Sequence, residues 1–348
     1  MPQVSLNVVL RRLAFGKRTR SEAWQLLADL TQSGMSISDA LMTAATVYDQ
    51  RGQKSVYNIL LDIRAAIPRN ELSEVAALYA PGGETLMLAN FGEADTHRLF
   101  EGMARIARAD LVISRAITSA VSGPIVIFCI LAGILYMAGS QLFPAFLELT
   151  PVEAWPGIAK PFGQFTMWFA RSGYVIGAVF LGLLALLSVA VPNYIYAGRT
   201  KLDRLPPFSF YKLRMGASFL FAIVEAGRMG QQINSNFLYK MAKHSSPYAG
   251  DRIRTIGRLL NSMSFGDATL RAAHDFPARD LNTILVAFSA QENWLVNLAK
   301  FTDRWLEDVE IQAKRSAGLL NVLLMSLAAT AISLLMFSIF SITQTLAF

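Results

Sequence analysis

Three histidines, His97, His244 and His274, are the side chains here best suited to move a proton near neutral pH or to ligate a metal. None stands at ligand spacing from another histidine or from the one cysteine, Cys129, so neither a CxxC site nor a disulfide can form. No G-x-x-x-x-G-K-[ST] loop and no G-x-S-x-G elbow occurs. Gly227-Arg228-Met229-Gly230 lacks the preceding strand and the lysine of a phosphate loop. No catalytic residue, cofactor or bound metal is expected, and the chain does not read as an enzyme.

The residues left to carry function are short charged signatures. Phe91-Gly92-Glu93-Ala94-Asp95 is one, and Ser289-Ala290-Gln291-Glu292-Asn293 is its counterpart later in the chain. Gly92 can adopt a positive φ or admit a close neighbouring helix, and Asp95 with Thr96 can cap the helix that follows. Glu93 and Glu292 then have two readings. Each favours a helix N-terminus through the macrodipole, worth about 0.3–1 kcal/mol, or presents a carboxylate to a partner. Gly34 and Gly227 each follow an apolar helix and read as C-caps. Arg252, Arg254 and Arg258, with Lys240 and Lys243, form either a solvated face beside anionic headgroups or a docking surface for an acidic partner.

The elements that must position these residues follow from the charge pattern. Of 348 residues, 53% are hydrophobic and only 16% charged, with mean hydropathy +0.37. Soluble domains carry about 25% charge. Residues 116–147, 172–198 and 316–348 contain no Asp, Glu, Lys or Arg. Each run exceeds the roughly 20 residues a helix needs to cross a hydrocarbon core. We expect transmembrane helices at 116–143 and 172–198, and a third within 316–348 that ends in a short tail. No apolar signal-peptide core precedes them.

Thirteen of the 32 Lys and Arg lie in residues 1–115 and seventeen in 199–315, while only Lys160 and Arg171 fall in the 144–171 connection. The positive-inside rule places both polar segments in the cytoplasm, with the connection and the C-terminus outside. Topology thus accounts for most of the net charge of +7 without nucleic acid as a partner.

Both polar segments read as helical bundles. Val56, Ile59, Leu60, Ile63 and Ile67 make one amphipathic stripe, and Leu281, Ile284, Leu285 and Phe288 another. Leu99, Met103 and Ile106 continue the first segment, and Leu295, Leu298, Trp305 and Val309 the second. Thr19 and Glu22 have capping-box spacing. Alternating β-branched runs are missing, so the fold class is all-α. Gly34 and Gly227, and Glu93 and Glu292, recur at nearly the same offset, which marks the two segments (1–115 and 199–315) as a duplicated pair of cytoplasmic domains.

Trp24-Gln25-Leu26-Leu27 and the residues to Leu41, Phe91-Gly92-Glu93, Phe143-Pro144-Ala145-Phe146 and Leu205-Pro206-Pro207-Phe208, in this order around three spans, resemble the PilC/GspF family. These are inner-membrane platform proteins of type IV pilus assembly and type II secretion. The sequence departs from the family in having Gly123-Pro124 where Tyr-Pro is common, in Gln291-Glu292 for the second Gly-Glu, and in a short leader. The departures point to a divergent branch, of the type IVb or conjugative thin-pilus kind.

The resemblance implies a chain that couples a cytoplasmic assembly ATPase to pilin polymerisation. Its implied partners are that ATPase, prepilin and pilin subunits, other inner-membrane assembly components, membrane lipid and further copies of itself. Some members bind a divalent cation at acidic residues of the first bundle, but the acidic residues here do not assemble a full oxygen set. Gly34, Gly92, Glu93, Asp95, Pro206, Gly227 and Glu292 are the expected motif positions, and Arg252, Arg254 and Arg258 the expected partner face. The alternative class is a membrane permease subunit paired with a separate ATPase. The uncharged runs weigh against it, because transport pathways place costly ionisable groups inside the membrane.

Overall fold

A computed structural model describes residues 6–85, 88, 96–196, 198–205, 207–272 and 275–346. Gly92, Glu93 and Asp95 of the first acidic signature, Pro206 and His274 lie outside the described residues. Among the described residues the secondary structure is helical throughout, with no strand. The chain is an all-α membrane protein. Two compact units form, one from Met1–Ser114 with Val191–Asp308, the other from Arg115–Ala190 with Val309–Phe348.

The first half of the polar unit contains α1 (Leu6–Ala14), α2 (Lys17–Gln32), α3 (Ile37–Gln50), α4 (Lys54–Ala66), α5 (Leu72–Tyr79), α6 (Gly82–Thr85) and the start of α7 (Thr96–Met137). Helix α2 starts two residues before Thr19, because Gly16 in extended conformation precedes it, so the expected capping box is not used. Ser36 caps α3 by accepting from the Asp39 amide at 3.2 Å. In α4 the expected stripe holds: Val56, Ile59, Leu60 and Ile63 are buried. Ile67 falls beyond it, in a 3₁₀ turn that Pro68 imposes. Trp24 is fully buried, packed between Phe15 at 5.4 Å and Phe100 at 6.3 Å. Each such large apolar side chain contributes about 1.5–3 kcal/mol by burial.

Two helices of the apolar unit come next in the chain, α8 (Phe143–Leu149) and α9 (Ala159–Arg171), and then α10 (Gly173–Asn193). The polar unit resumes with α11 (Arg199–Leu202), α12 (Phe208–Arg228), α13 (Ser235–Lys243), α14 (Pro247–Leu259), α15 (Phe265–Arg271), α16 (Arg279–Ser289) and the start of α17 (Trp294–Leu346). Asn234, Ser246 and Ser264 cap α13, α14 and α15. Ser264 and Asp267 repeat the capping pattern of Ser36 and Asp39, with the serine hydroxyl donating to the carboxylate in both. Phe219 packs against Phe265 and Phe276, and Phe265 stacks on Trp294 at 5.2 Å.

Three helical stretches are long and apolar enough to cross a membrane: Thr96–Leu149, Gly173–Asn193 and Asn321–Thr345. Pro124 lies inside α7, and a wide π turn (Ala138–Leu142) carries the helix on to Pro144 at the start of α8. The 144–171 connection between the first two spans is largely helical. It has enough aromatic surface for a core of its own, in which Phe143, Trp155, Ala159, Ala138 and Ile342 are buried together. Gly139 touches the backbone of Thr166 so closely that a β-carbon has no room. Trp155 is buried in this cluster, whereas Trp168 is exposed.

Candidate functional site

Charged side chains collect in the interior of the polar unit, where the first and second polar segments meet. Glu84 on α6 is fully buried and receives hydrogen bonds from Arg20 Nε at 3.0 Å and Trp24 Nε1 at 2.8 Å. Arg20 Nη1 also donates to the Phe15 carbonyl at 2.9 Å. Asp110 on α7 accepts two bonds from Arg214 on α12, 2.6 Å from Nε and 3.0 Å from Nη2. Lys17 and Arg20 each come within 3.8 Å of Asp110, and Lys17 donates to Ser114. Three cations thus surround two carboxylates. This bidentate fork is a geometry a lysine at position 214 could not reproduce.

The environment shifts these groups in different directions. Burial pushes the Glu84 carboxyl up, against the opposing pull of Arg20 and Trp24. Burial likewise lowers the Lys17 ammonium, partly offset by Asp110. For Arg214 burial works to lower the guanidinium, but the hydrogen bonds and charge of Asp110 outweigh it, so it is raised overall. A second tie joins α7 to α12. Glu225 accepts from Arg228 Nη1 at 2.6 Å and lies 3.6 Å from Arg105. Burial raises its carboxyl despite both arginines.

A third cluster explains the motif around Leu205-Pro206-Pro207-Phe208. Arg199 is 1% exposed, with its guanidinium sandwiched between Phe208 at 4.6 Å and Tyr248 at 4.2 Å. Its Nε donates to Asp203 at 2.8 Å and its Nη1 to the Val191 carbonyl at 2.8 Å, where α10 ends. Tyr248 Oη donates to the other Asp203 oxygen at 2.9 Å, and burial beside that carboxylate raises the phenol.

The expected site residues separate. Arg252 does not belong to an exposed basic face: it is 4% exposed, with its guanidinium 5.3 Å from the Tyr248 ring. Tyr248, Arg252, Ile256 and Ala249 share the inward side of α14, so helical periodicity turns Arg252 to the core. Arg254 and Arg258 are exposed on the other side. Glu292 is exposed in the turn between α16 and α17.

Gly34 ends α2 as expected, at φ +89°, with the Gly34 amide bonded to Thr31 O and the Met35 amide to Leu30 O. Gly227 is not a C-cap. It sits within α12, where an added β-carbon would meet Leu295 at 2.8 Å. The cap that matches Gly34 is Gly230, at φ +75°, with the Gly230 amide bonded to Gly227 O and the Gln231 amide to Ala226 O.

Of the histidines, His97 Nδ1 lies 3.0 Å from the Ala28 carbonyl and His244 closes α13. Among the described residues no group of three or more His, Cys, Asp or Glu gathers in a way that could hold a metal.

Arg20, Asp110 and Arg214 were not singled out from the sequence, yet a signal exists. Arg20 precedes Ala23, Trp24 and Leu27 at helical spacing, Asp110 falls between Ile106 and Ile113, and Arg214 precedes Ala217 and Phe221. A charge on an apolar stripe is a charge the fold must pair.

No family model matches the chain, and no solved structure does. Over 218 residues it is 27% identical to the toxin coregulated pilus biosynthesis protein E of Vibrio cholerae. The chain is a relative of a pilus biosynthesis protein. The match covers 59% of this chain and 61% of the relative, so the likeness spans about three fifths of each. It supports the resemblance to the platform family. With three apolar helices of membrane-crossing length, the chain is a multi-pass inner-membrane protein.

Proposed function

We propose that the chain is the inner-membrane platform of a type IV pilus or closely related secretion machine. In this reading it couples a cytoplasmic assembly ATPase to the addition of pilin subunits. The observation that carries the reading is the likeness to a pilus biosynthesis protein over 59% of the chain. The architecture is consistent with it. Two polar segments far apart in sequence close into one unit through the Asp110–Arg214 and Glu225–Arg105 pairs, so a soluble motor pressing on one segment would move both as a packed body. The N-terminus and both polar segments lie in the cytoplasm and the C-terminus outside, an orientation that the distribution of Lys and Arg supports. Copies of the chain associate with one another and with the other membrane components of the machine.

The motor-facing surface in this proposal includes Arg254 and Arg258 on α14, with Glu292 and the acidic signature around Glu93 as further contacts. A deletion strain complemented with the wild-type chain should regain surface filaments, counted by electron microscopy. Reporter fusions should place the N-terminus and the 199–315 segment on one side and the tail on the other. Filaments at normal number in the deletion strain, with uptake of a solute lost, would replace the platform reading with that of a permease subunit.

A further inference from the structure

Helix α1 turns an apolar face outward. Leu10, Leu13 and Ala14 stand at i, i+3 and i+4, hence on one side of the helix. All three are exposed, Leu10 by 56% and Leu13 by 74%. The other sides are engaged with the protein. Arg11 Nη1 donates to Asp62 on α4 at 3.0 Å, and Arg12 lines a cavity with Tyr211 and Arg214. Scattered exposed leucines are ordinary, but a short helix that turns Arg11 inward and its leucines outward inverts the pattern expected against water.

The place of α1 in the polar unit says what covers that face. Helix α2 runs antiparallel along α7: Lys17 donates to Ser114, Ser21 Oγ lies 3.5 Å from the Ala104 carbonyl, and His97 Nδ1 lies 3.0 Å from that of Ala28. The start of α2 is therefore level with Ser114, which stands two residues before the uncharged run at 116, about 3 Å along the helix axis. Arg20 ties the preceding turn to the same level, donating to the Phe15 carbonyl at 2.9 Å and reaching Asp110 at 3.8 Å. The cavity gives an independent bearing. Arg12 shares its wall with Tyr211 and Arg214, which lie in the first two turns of α12, and Arg214 holds Asp110. Both routes put α1 at the end of the polar unit from which α7 continues into the first span.

We propose that α1 is an interfacial membrane helix, with Leu10, Leu13 and Ala14 set into the headgroup–acyl boundary of the leaflet that α7 enters. The bilayer is the occupant because the face borders a membrane that the chain already spans. Residues 1–21 also hold Arg11, Arg12, Lys17, Arg18 and Arg20 and no Asp or Glu, which suits an anionic leaflet. Arg11, Lys17 and Arg20 meet acids of neighbouring helices, so the apolar face supplies the insertion and charge assists it. Since α1 packs on α4 and α5, insertion braces the first polar segment against the bilayer. The inference rests on the spans and not on the platform reading.

The test uses the full-length chain with Cys129→Ala, in nanodiscs of phosphatidylethanolamine and phosphatidylglycerol. A nitroxide is attached in turn to the variants Leu10→Cys, Leu13→Cys and Arg12→Cys. Power-saturation electron paramagnetic resonance compares collisions with oxygen, which concentrates in lipid, and with a nickel chelate, which stays in water. Labels at positions 10 and 13 should favour oxygen, and the label at position 12 should favour nickel. Labels at 10 and 13 that favour nickel would put the face in water. Labels there shielded from both reagents would put it under a second copy or another protein. Either result overturns the proposal.

Because the label is itself apolar, unlabelled Leu10→Gln/Leu13→Gln repeats the test, glutamine matching leucine in helix propensity. In nanodiscs its α1 amides should exchange with deuterium about tenfold faster than those of the unsubstituted chain, while α4 stays unchanged. Equal exchange of α1 in the two proteins would show that no lipid holds the leucines.

Discussion

Replacing Asp110 with alanine removes the carboxylate around which Lys17, Arg20 and Arg214 are arranged. Asp110 and Arg214 lie 104 positions apart and meet through bonds of 2.6 and 3.0 Å. The Asp110 side chain is 6% exposed and that of Arg214 29%. Breaking a fully buried pair costs about 3–5 kcal/mol, because the surviving charge is left without partner or water. Water reaches part of Arg214, which lowers the expected cost to about 2–3 kcal/mol. For a unit of this size that is a fall of roughly 4–10 °C in the melting midpoint.

The assay is circular dichroism melting of the full-length chain in detergent, on Asp110→Ala, Arg214→Ala and the double variant. Asp110 keeps Lys17 and Arg20 when Arg214 is gone, but the bidentate pair is lost in either single variant, so the double variant should lose clearly less than the two singles added together. The implied coupling is about 2 kcal/mol, above the 0.2–1 kcal/mol measured for exposed pairs. Single variants that each shift the midpoint by under about 2 °C, and add in the double, would refute the claim that this pair locks the two segments together.

Glu84, raised by burial from its ordinary 4.5, takes up a proton more readily folded than unfolded. Its contribution to stability is therefore greatest at acid pH and declines as pH climbs through the raised value; Glu84→Gln should flatten that slope in urea unfolding measured across pH. Gly34→Ala and Gly230→Ala should each cost about 1 kcal/mol through backbone strain alone, since nothing lies within 4 Å of either added β-carbon. Melting midpoints unchanged in both would contradict the cap assignment. Arg254→Glu/Arg258→Glu should leave the midpoint unaltered while reducing filament number, whereas Arg252→Glu should destabilise by several kcal/mol, by placing a carboxylate under Tyr248 near Asp203. Equal melting of the two variants would show that Arg252 faces solvent after all.

Local features of this chain are legible from residue order alone. Uncharged runs mark the spans because hydrocarbon tolerates no unpaired charge, and the Val56–Ile63 stripe marks α4 because a helix repeats every 3.6 residues. The same local logic reads both Gly34 and Gly227 as caps, and the second reading is wrong: the cap falls three residues further on, at Gly230. Gly227 is required instead by Leu295, from another helix, which leaves no room for a β-carbon there. Tertiary structure alone decided which charges are interior. Arg20, Asp110 and Arg214 can be read individually as charges on apolar stripes, yet only the packing of α2, α6, α7 and α12 brings their partners within reach. Arg252 and Arg254 are two residues apart and identical in type. One stacks in the core and the other meets solvent, because the side a helix buries is set by what packs against it.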